Sequence, residues 1–512
     1  MRVLVAITLI GLPAADLAWN LAHLNIGLAD FYGLAAFAHG FVAHGMWPAT
    51  PYFPPGYPLL LVPFGLVGSV LIGGYVLSAI GLCLALWALY RLGREWGLAR
   101  GVALLACAFA WLDPVYRPPA GSPTVDALYT GLGMWFIAAA IALWRRRSDS
   151  VDARWITQGL LVPSAILPLI RYHAVILVAP VLLVLLMALP GKRTLSAMAL
   201  LVLALSIAYN YATYYAAYGK AIPSAVGIQM RSGLEYDFQT TYKTPEHLYA
   251  DYPAFCAHAR AVPVTADYTL SQLARHTGDA WYHYLRRPSI VLAGLLLILL
   301  LLYRRPIPRG AVLILLWIAC YTFALSPAYY TPRAGLLPVI AATALCFAAA
   351  TQFLAGRPGL AASGVCVLLF LGFSVSNRYS RSDFAERRYF AQASRVVEEQ
   401  LRPWGIRAGE VVTSDWPVMP LKGNRWCAPY PHTELSWLDD PEISRAQVPG
   451  IVAYSIDDLV AGTAPVKVVI LRPGHPRAEE LAVVAVSSRW RLARELLGLK
   501  LYVRAGFSAG GA

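Results

Sequence analysis

Long apolar stretches separated by short polar ones run through most of the chain. The first is Val3 to about Leu24, and Val70–Leu89, Gly101–Tyr116, Val125–Trp144, Trp155–Ile170 and Tyr172–Leu189 follow. Thr194–Ala216, Ser289–Leu302, Ala311–Leu325, Ala334–Leu354 and Leu360–Val375 complete the series. About 20 apolar residues in a helix cross about 30 Å of hydrocarbon, so the pattern predicts a polytopic α-helical membrane protein with about eleven spans. Tyr57–Gly68 is too short to cross and reads as a dipping or interfacial helix.

Two stretches carry a different period. After Asp30, the residues Phe31, Leu34, Ala35, Ala38, Phe41 and Val42 fall at helical spacing on one face, with His39 and His44 off it. The helix breaks near Gly45, and Pro48, Pro51, Pro54 and Pro55 then impose an extended path. Such a helix, lying flat at a membrane surface, holds Asp30 at the interface, and the whole loop covers residues 25–69. From Asn377 the pattern becomes that of a soluble domain. FAERRYFAQASRVVEEQL reads as an amphipathic helix, GEVVTS, KVVILR and LKLYVR as strands, and PRAEELAVVAVS as helical. Residues 1–376 therefore form the membrane domain and 377–512 a small α/β domain. Residues 218–288 between two spans are rich in Tyr and mix acids with bases (Arg231, Glu235, Asp237, Asp251, Asp267), which suits a partly folded lid.

Composition agrees with the pattern and removes several function classes. Of the 512 residues, 58% are hydrophobic and only 14% charged, more apolar surface than a soluble protein buries. A net charge of +14 would suggest nucleic acid in a soluble chain. Here the cations sit in short loops between apolar runs: Arg91, Arg94 and Arg100; Arg145, Arg146, Arg147 and Arg154; Lys192 and Arg193; Arg304, Arg305 and Arg309; Arg357. That distribution encodes membrane topology rather than a nucleic-acid partner. With the N-terminus in the cytoplasm every one of these loops lies inside. Asp30, Arg117, Asp126, Arg171, Arg333, the 218–288 loop and the C-terminal domain then lie outside. Of seven cysteines, only Cys256 and Cys427 fall outside the spans, and whether they pair stays open. There is no CxxC, no His pair at metal spacing, no GxGxxG after a strand and no Walker loop.

The outward charges are the candidate chemistry. Asp30 either caps its helix or serves as a base, and the two roles can coexist. Arg171 and Arg333 run against the positive-inside bias, and an arginine fork suits a phosphate. Tyr329 and Tyr330 lie beside Arg333. Arg117 and Asp126 pair with each other, cap helices or belong to the site. His39, His44 and His173 read first as interfacial or packing residues, and Tyr57 opens the apolar piece behind the proline-rich turn.

Three segments carry a family resemblance. The acid followed by an amphipathic helix and PYFPPGYPLLL resembles the first outer loop of GT-C membrane glycosyltransferases, such as protein O-mannosyltransferases and lipid-A aminoarabinose transferases. SPTVDALYTGLGMWF resembles their segment that opens a span with an acid, and PAYYTPRAGLLPVI their late outer loop. The resemblance implies a polyprenyl-phosphate sugar as donor, an envelope glycan, lipid or protein as acceptor, and a plasma-membrane location. It implies Asp30 as the base of an inverting transfer, with Arg171, Arg333 and Arg117 on the donor phosphate. Asp126, Tyr57, Tyr330 and His173 are further site candidates. Many members carry two adjacent acids in the first loop, whereas Phe31 and Tyr32 follow Asp30 here, which argues against a bridged metal and leaves no cofactor to expect. A transporter or flippase of a lipid-linked or small polar substrate, and a non-catalytic membrane scaffold, are the alternatives.

The topology makes a direct prediction. In a cysteine-free background, Thr240→Cys and Tyr430→Cys react with an impermeant thiol reagent from outside the cell, and Arg147→Cys and Arg305→Cys do not. The opposite labelling pattern overturns the orientation.

Overall fold

The computed structural model describes residues 2–23, 54–67, 70–113, 123–145, 154–218, 285–308, 310–325, 336–354, 357–376, 399–406, 410–413, 456–473 and 481–507. It also describes single positions within 31–42, 274–281 and 392–397, and residue 478. Helix α1 (Arg2–Ala6) passes through a π-helical turn, Ile7–Gly11, into α2 (Leu12–His23). Then come α3 (Gly56–Leu66), α4 (Val70–Glu95), α5 (Arg100–Leu112), α6 (Val125–Arg145), α7 (Arg154–Ile170), α8 (Ala174–Ala188) and α9 (Arg193–Tyr218). After these come α10 (Pro288–Leu302), α11 (Ala311–Leu325), α12 (Leu336–Phe353) and α13 (Pro358–Ser376). Every apolar stretch predicted to span is an apolar helix here. Val3–Leu21, Ile72–Glu95, Val125–Arg145 and Pro190–Thr213 are long and apolar enough to cross a membrane by length and composition, and the others are shorter.

Local chemistry explains several helix ends. At the end of α4 the Gly97 amide donates to the Arg94 carbonyl and the Leu98 amide to that of Gly93, both at 3.0 Å. Gly97 takes φ +82°, the left-handed conformation that such a stop requires. Arg94 also donates to the Leu98 carbonyl.

The chain divides into two compact units. The first comprises 1–22, 75–212 and 273–383, and the second 23–74, 213–272 and 384–512. In the first, α6 is buried from Val125 to Leu143 except at Trp135. It meets α4 backbone to backbone: a Cβ on Gly81 would run into the Ala127 carbonyl, and one on Gly131 into the carbonyl of Gly81. Small residues at such a crossing are the usual means of close approach between apolar helices. At the end carrying the basic residues, Trp87 stands edge-on to Trp135 (centroids 5.8 Å apart) and to Trp155 (6.0 Å), with Arg91 over the Trp155 ring at 4.5 Å. A carboxylate that the apolar pattern hid lies inside the first helix. Asp16 is buried, and its Oδ2 accepts the Trp111 indole N–H at 2.6 Å, tying α2 to α5.

In the second unit, Phe31, Leu34, Ala35, Ala38, Phe41 and Val42 are helical, and the first four are buried, as their spacing predicts. The C-terminal part holds strands β1 (Val411–Thr413), β2 (Val468–Leu471), β3 (Trp490–Leu496) and β4 (Leu499–Arg504) in the order β1-β2-β4-β3. β1 runs parallel to β2, and the other pairs are antiparallel. Alternation along β2 sends Val469 and Leu471 to one core, with Leu459, Leu481, Val484 and Trp490. Val468 and Ile470 go to the other, with Ala393, Val397 and Leu401 of the predicted amphipathic helix. Both faces of the sheet are therefore covered. The three predicted strands are present. β3 and the short helix Ile456–Ala461 were not anticipated.

The Gly81–Gly131 crossing yields a stability prediction. Gly131→Ala forces α4 and α6 apart and costs about 1–3 kcal/mol, as overpacking typically does. Gly101→Ala, where a Cβ meets nothing, is neutral or stabilising. Thermal unfolding of the two purified variants separates these outcomes, and equal midpoints would contradict the close crossing.

Candidate functional site

The site grows from the turn between α7 and α8. The Arg171 amide closes the last turn of α7 by donating to the Leu167 carbonyl at 2.9 Å. The Arg171 carbonyl accepts the Ala174 amide at 3.1 Å, so the chain reverses over Arg171, Tyr172 and His173. Near a helix end the last carbonyls lose their intrahelical donors. That of Pro168 is supplied from α9, where Asn210 Nδ2 donates to it at 2.7 Å.

This turn carries the Arg171 side chain to the N-terminus of α6. Its Nη2 lies 2.8 Å from Asp126 Oδ1, with both side chains largely buried. Asp126 is in the first turn of α6, where the helix dipole favours a carboxylate. Thr124 completes it: the Thr124 hydroxyl accepts the Asp126 amide and donates to Asp126 Oδ2, each at 3.1 Å. Thr124 is in turn held by α4. Its amide donates to Ser78 Oγ at 3.2 Å, and Ser78 Oγ donates to the Thr124 carbonyl at 3.3 Å. Beside the pair, the His173 ring stands edge-on to Tyr129, with centroids 5.5 Å apart and planes at 70°.

Two full charges removed from water are tolerable only when paired and hydrogen-bonded, and such a pair contributes little net stability by itself. What the arrangement offers chemically is a guanidinium fixed in direction at the end of apolar helices, a group suited to a phosphate or another oxyanion.

Among the residues proposed from sequence, the fold brings together Asp126, Arg171 and His173. Tyr57 is fully buried in α3, within the other unit. Asp30, Arg117, Arg333 and Tyr330 lie outside the described residues, as do Cys256 and Cys427. Thr124 and Ser78 were not singled out. Thr124 had a legible signal, a hydroxyl residue two places before an acid at a helix start. Ser78 had none, since it meets Thr124 only through the close approach of α4 to α6. Among the described residues no group of three His, Cys, Asp or Glu side chains is placed to hold a metal.

Comparison with known structures places the architecture. The crystal structure of ArnT from Cupriavidus metallidurans bound to undecaprenyl phosphate matches with a TM-score of 0.57 and 13% identity, over 100% of this chain and 99% of ArnT. This chain has the fold of ArnT. The apo structure of the same protein gives a TM-score of 0.54 and 12% identity, over 98% of each chain. ArnT is a lipid A aminoarabinose transferase of the GT-C type, one of the groups that the first-loop motif resembles. The ArnT-like fold and the apolar helices mark an integral membrane protein with a small C-terminal sheet. No protein-family model matches the chain, and no curated protein sequence does.

Proposed function

We propose that the protein is an integral-membrane glycosyltransferase that moves a sugar from a polyprenyl-phosphate donor to an envelope glycan, lipid or protein on the outer face of the plasma membrane. The observation that carries this reading is the end-to-end likeness to ArnT, whose crystal structure holds undecaprenyl phosphate. The likeness runs through the C-terminal sheet as well as the apolar helices, which a simple transporter would not need.

In this reading Asp30 removes the proton from an acceptor hydroxyl, and that oxygen attacks the anomeric carbon. The bond from that carbon to the phosphate oxygen breaks, polyprenyl phosphate leaves with the electron pair, and a single displacement inverts the centre. Arg171, Arg333 and Arg117 bind the phosphate and stabilise its growing charge. Asp126 belongs to the site beside Arg171, with Tyr57, Tyr330 and His173 as its further residues. Phe31 stands where many members of the resembled family have a second acid, so the transfer runs without a divalent metal or other cofactor.

Deleting the protein removes one sugar from the envelope, read by mass spectrometry of envelope glycans, lipids and glycoproteins; an unchanged envelope overturns the proposal. With donor and acceptor so identified, Asp30→Asn keeps the helix cap, since Asn caps about as well as Asp. It still binds donor but turns over about 10²–10⁴-fold more slowly, the usual contribution of a general base. Activity of wild-type protein is unaffected by EDTA. Turnover by Asp30→Asn within a few-fold of wild type would exclude Asp30 as the base.

A further inference from the structure

We propose that Ser78, Thr124 and Asp126 form a positioning relay that fixes the Arg171 guanidinium for the phosphate of the donor. The inference rests on the glycosyltransferase reading above; it adds Ser78 and Thr124, which neither the sequence motifs nor the fold comparison assigns, and gives Asp126 a specific role.

The relay is directional. Arg171 has a long side chain with many rotamers and sits in a three-residue turn, so alone it would lose considerable entropy on meeting a ligand. Asp126 is the opposite. It lies in the first turn of α6, the helix that is buried along nearly its whole length and abuts α4 at Gly81 and Gly131. Its carboxylate is oriented at both oxygens, Oδ2 receiving the Thr124 hydroxyl and Oδ1 facing Arg171 Nη2 at 2.8 Å. Thr124 can present its hydroxyl in only one sense, because the same oxygen accepts the Asp126 amide. Ser78 then locks the Thr124 backbone through both its amide and its carbonyl. The relay thus runs from the close α4–α6 contact outward to the Arg171 guanidinium.

A pair serving stability alone does not need this construction, since apolar residues of similar volume commonly replace buried ion pairs at no cost. Holding a guanidinium at a fixed angle does need it. Bidentate contacts to an oxyanion depend on the orientation of the fork, and outer partners set the orientation of a ligating side chain. Asp126 is accordingly a positioning residue that acts through Arg171.

The test uses the full-length protein in nanodiscs, with binding of undecaprenyl phosphate and of the neutral alcohol undecaprenol measured side by side. Wild-type protein prefers the phosphate. Arg171→Ala and Asp126→Asn each weaken undecaprenyl phosphate by about ten- to a hundredfold, the range known for losing an orienting partner, and leave undecaprenol binding unchanged. Thr124→Val weakens the phosphate in the same direction by less, and Thr124→Ser restores it. Asp126→Asn combined with Arg171→Ala is no worse than Arg171→Ala alone, as expected for residues acting as one unit. If Asp126→Asn and Thr124→Val lower the unfolding temperature while the preference for phosphate stays at the wild-type value, the relay is a structural clamp and the inference falls. If wild-type protein itself shows no preference for phosphate over alcohol, the glycosyltransferase reading falls and takes this inference with it.

Discussion

A polar group inside an apolar bundle has no water to turn to, and this constraint organises the helices described here. Three hydroxyls within helices satisfy themselves on the preceding turn: Ser164 donates to the Leu160 carbonyl, Ser206 to that of Val202 and Thr343 to that of Val339. Thiols reach across to neighbouring backbones, Cys107 to the Leu86 carbonyl and Cys346 to that of Ser289. Where a helix stops, a side chain from another helix supplies the missing donor, as Asn210 does for Pro168. Asp126 and Arg171 obey the same rule with full charges. Each satisfies the other, the Thr124 hydroxyl joins them at the start of α6, and the Ser78 side chain of α4 satisfies the Thr124 backbone. The candidate site is therefore the place where an ordinary requirement of apolar packing is met with groups able to act on an anion.

That distinction decides what the sequence could reveal. Helix positions were legible because the length of an apolar run is a local property, and Arg154–Ile170 falls almost where the run Trp155–Ile170 placed it. The face of Phe31, Leu34, Ala35 and Ala38 was legible for a similar reason, since a period of 3.6 needs no tertiary partner. Arg171 stood out in the sequence as a cation apart from the basic loops. Its partner could not. Asp126 lies 45 positions earlier, and the sequence offered Asp126 a much nearer partner in Arg117. The first-turn acid was visible, but the close approach that brings Ser78 to Thr124 depends on two glycines on different helices. Asp16 was hidden by its apolar neighbours and gains meaning only once Trp111 is seen opposite.

In the C-terminal sheet the miss has a different cause. β3 was not recognised because a bulge between Leu492 and Arg494 breaks its alternation. Its turn into β4 also uses Leu497 and Gly498, both at positive φ, where Asn-Gly is the usual signal. The strands that were recognised are those whose alternation is intact and whose two faces both reach a core.

The strand order has a consequence for how this part is made. β4, the last strand in chain order, pairs with β2 on one side and β3 on the other. Until Leu499–Arg504 has been synthesised, β3 has no neighbour among the described strands, and β2 has only the three-residue β1. The sheet cannot be assembled strand by strand as the chain emerges. It must wait for its keystone, leaving the apolar positions of β2 open until that strand arrives, so both cores of this domain close only after nearly all of it has been made.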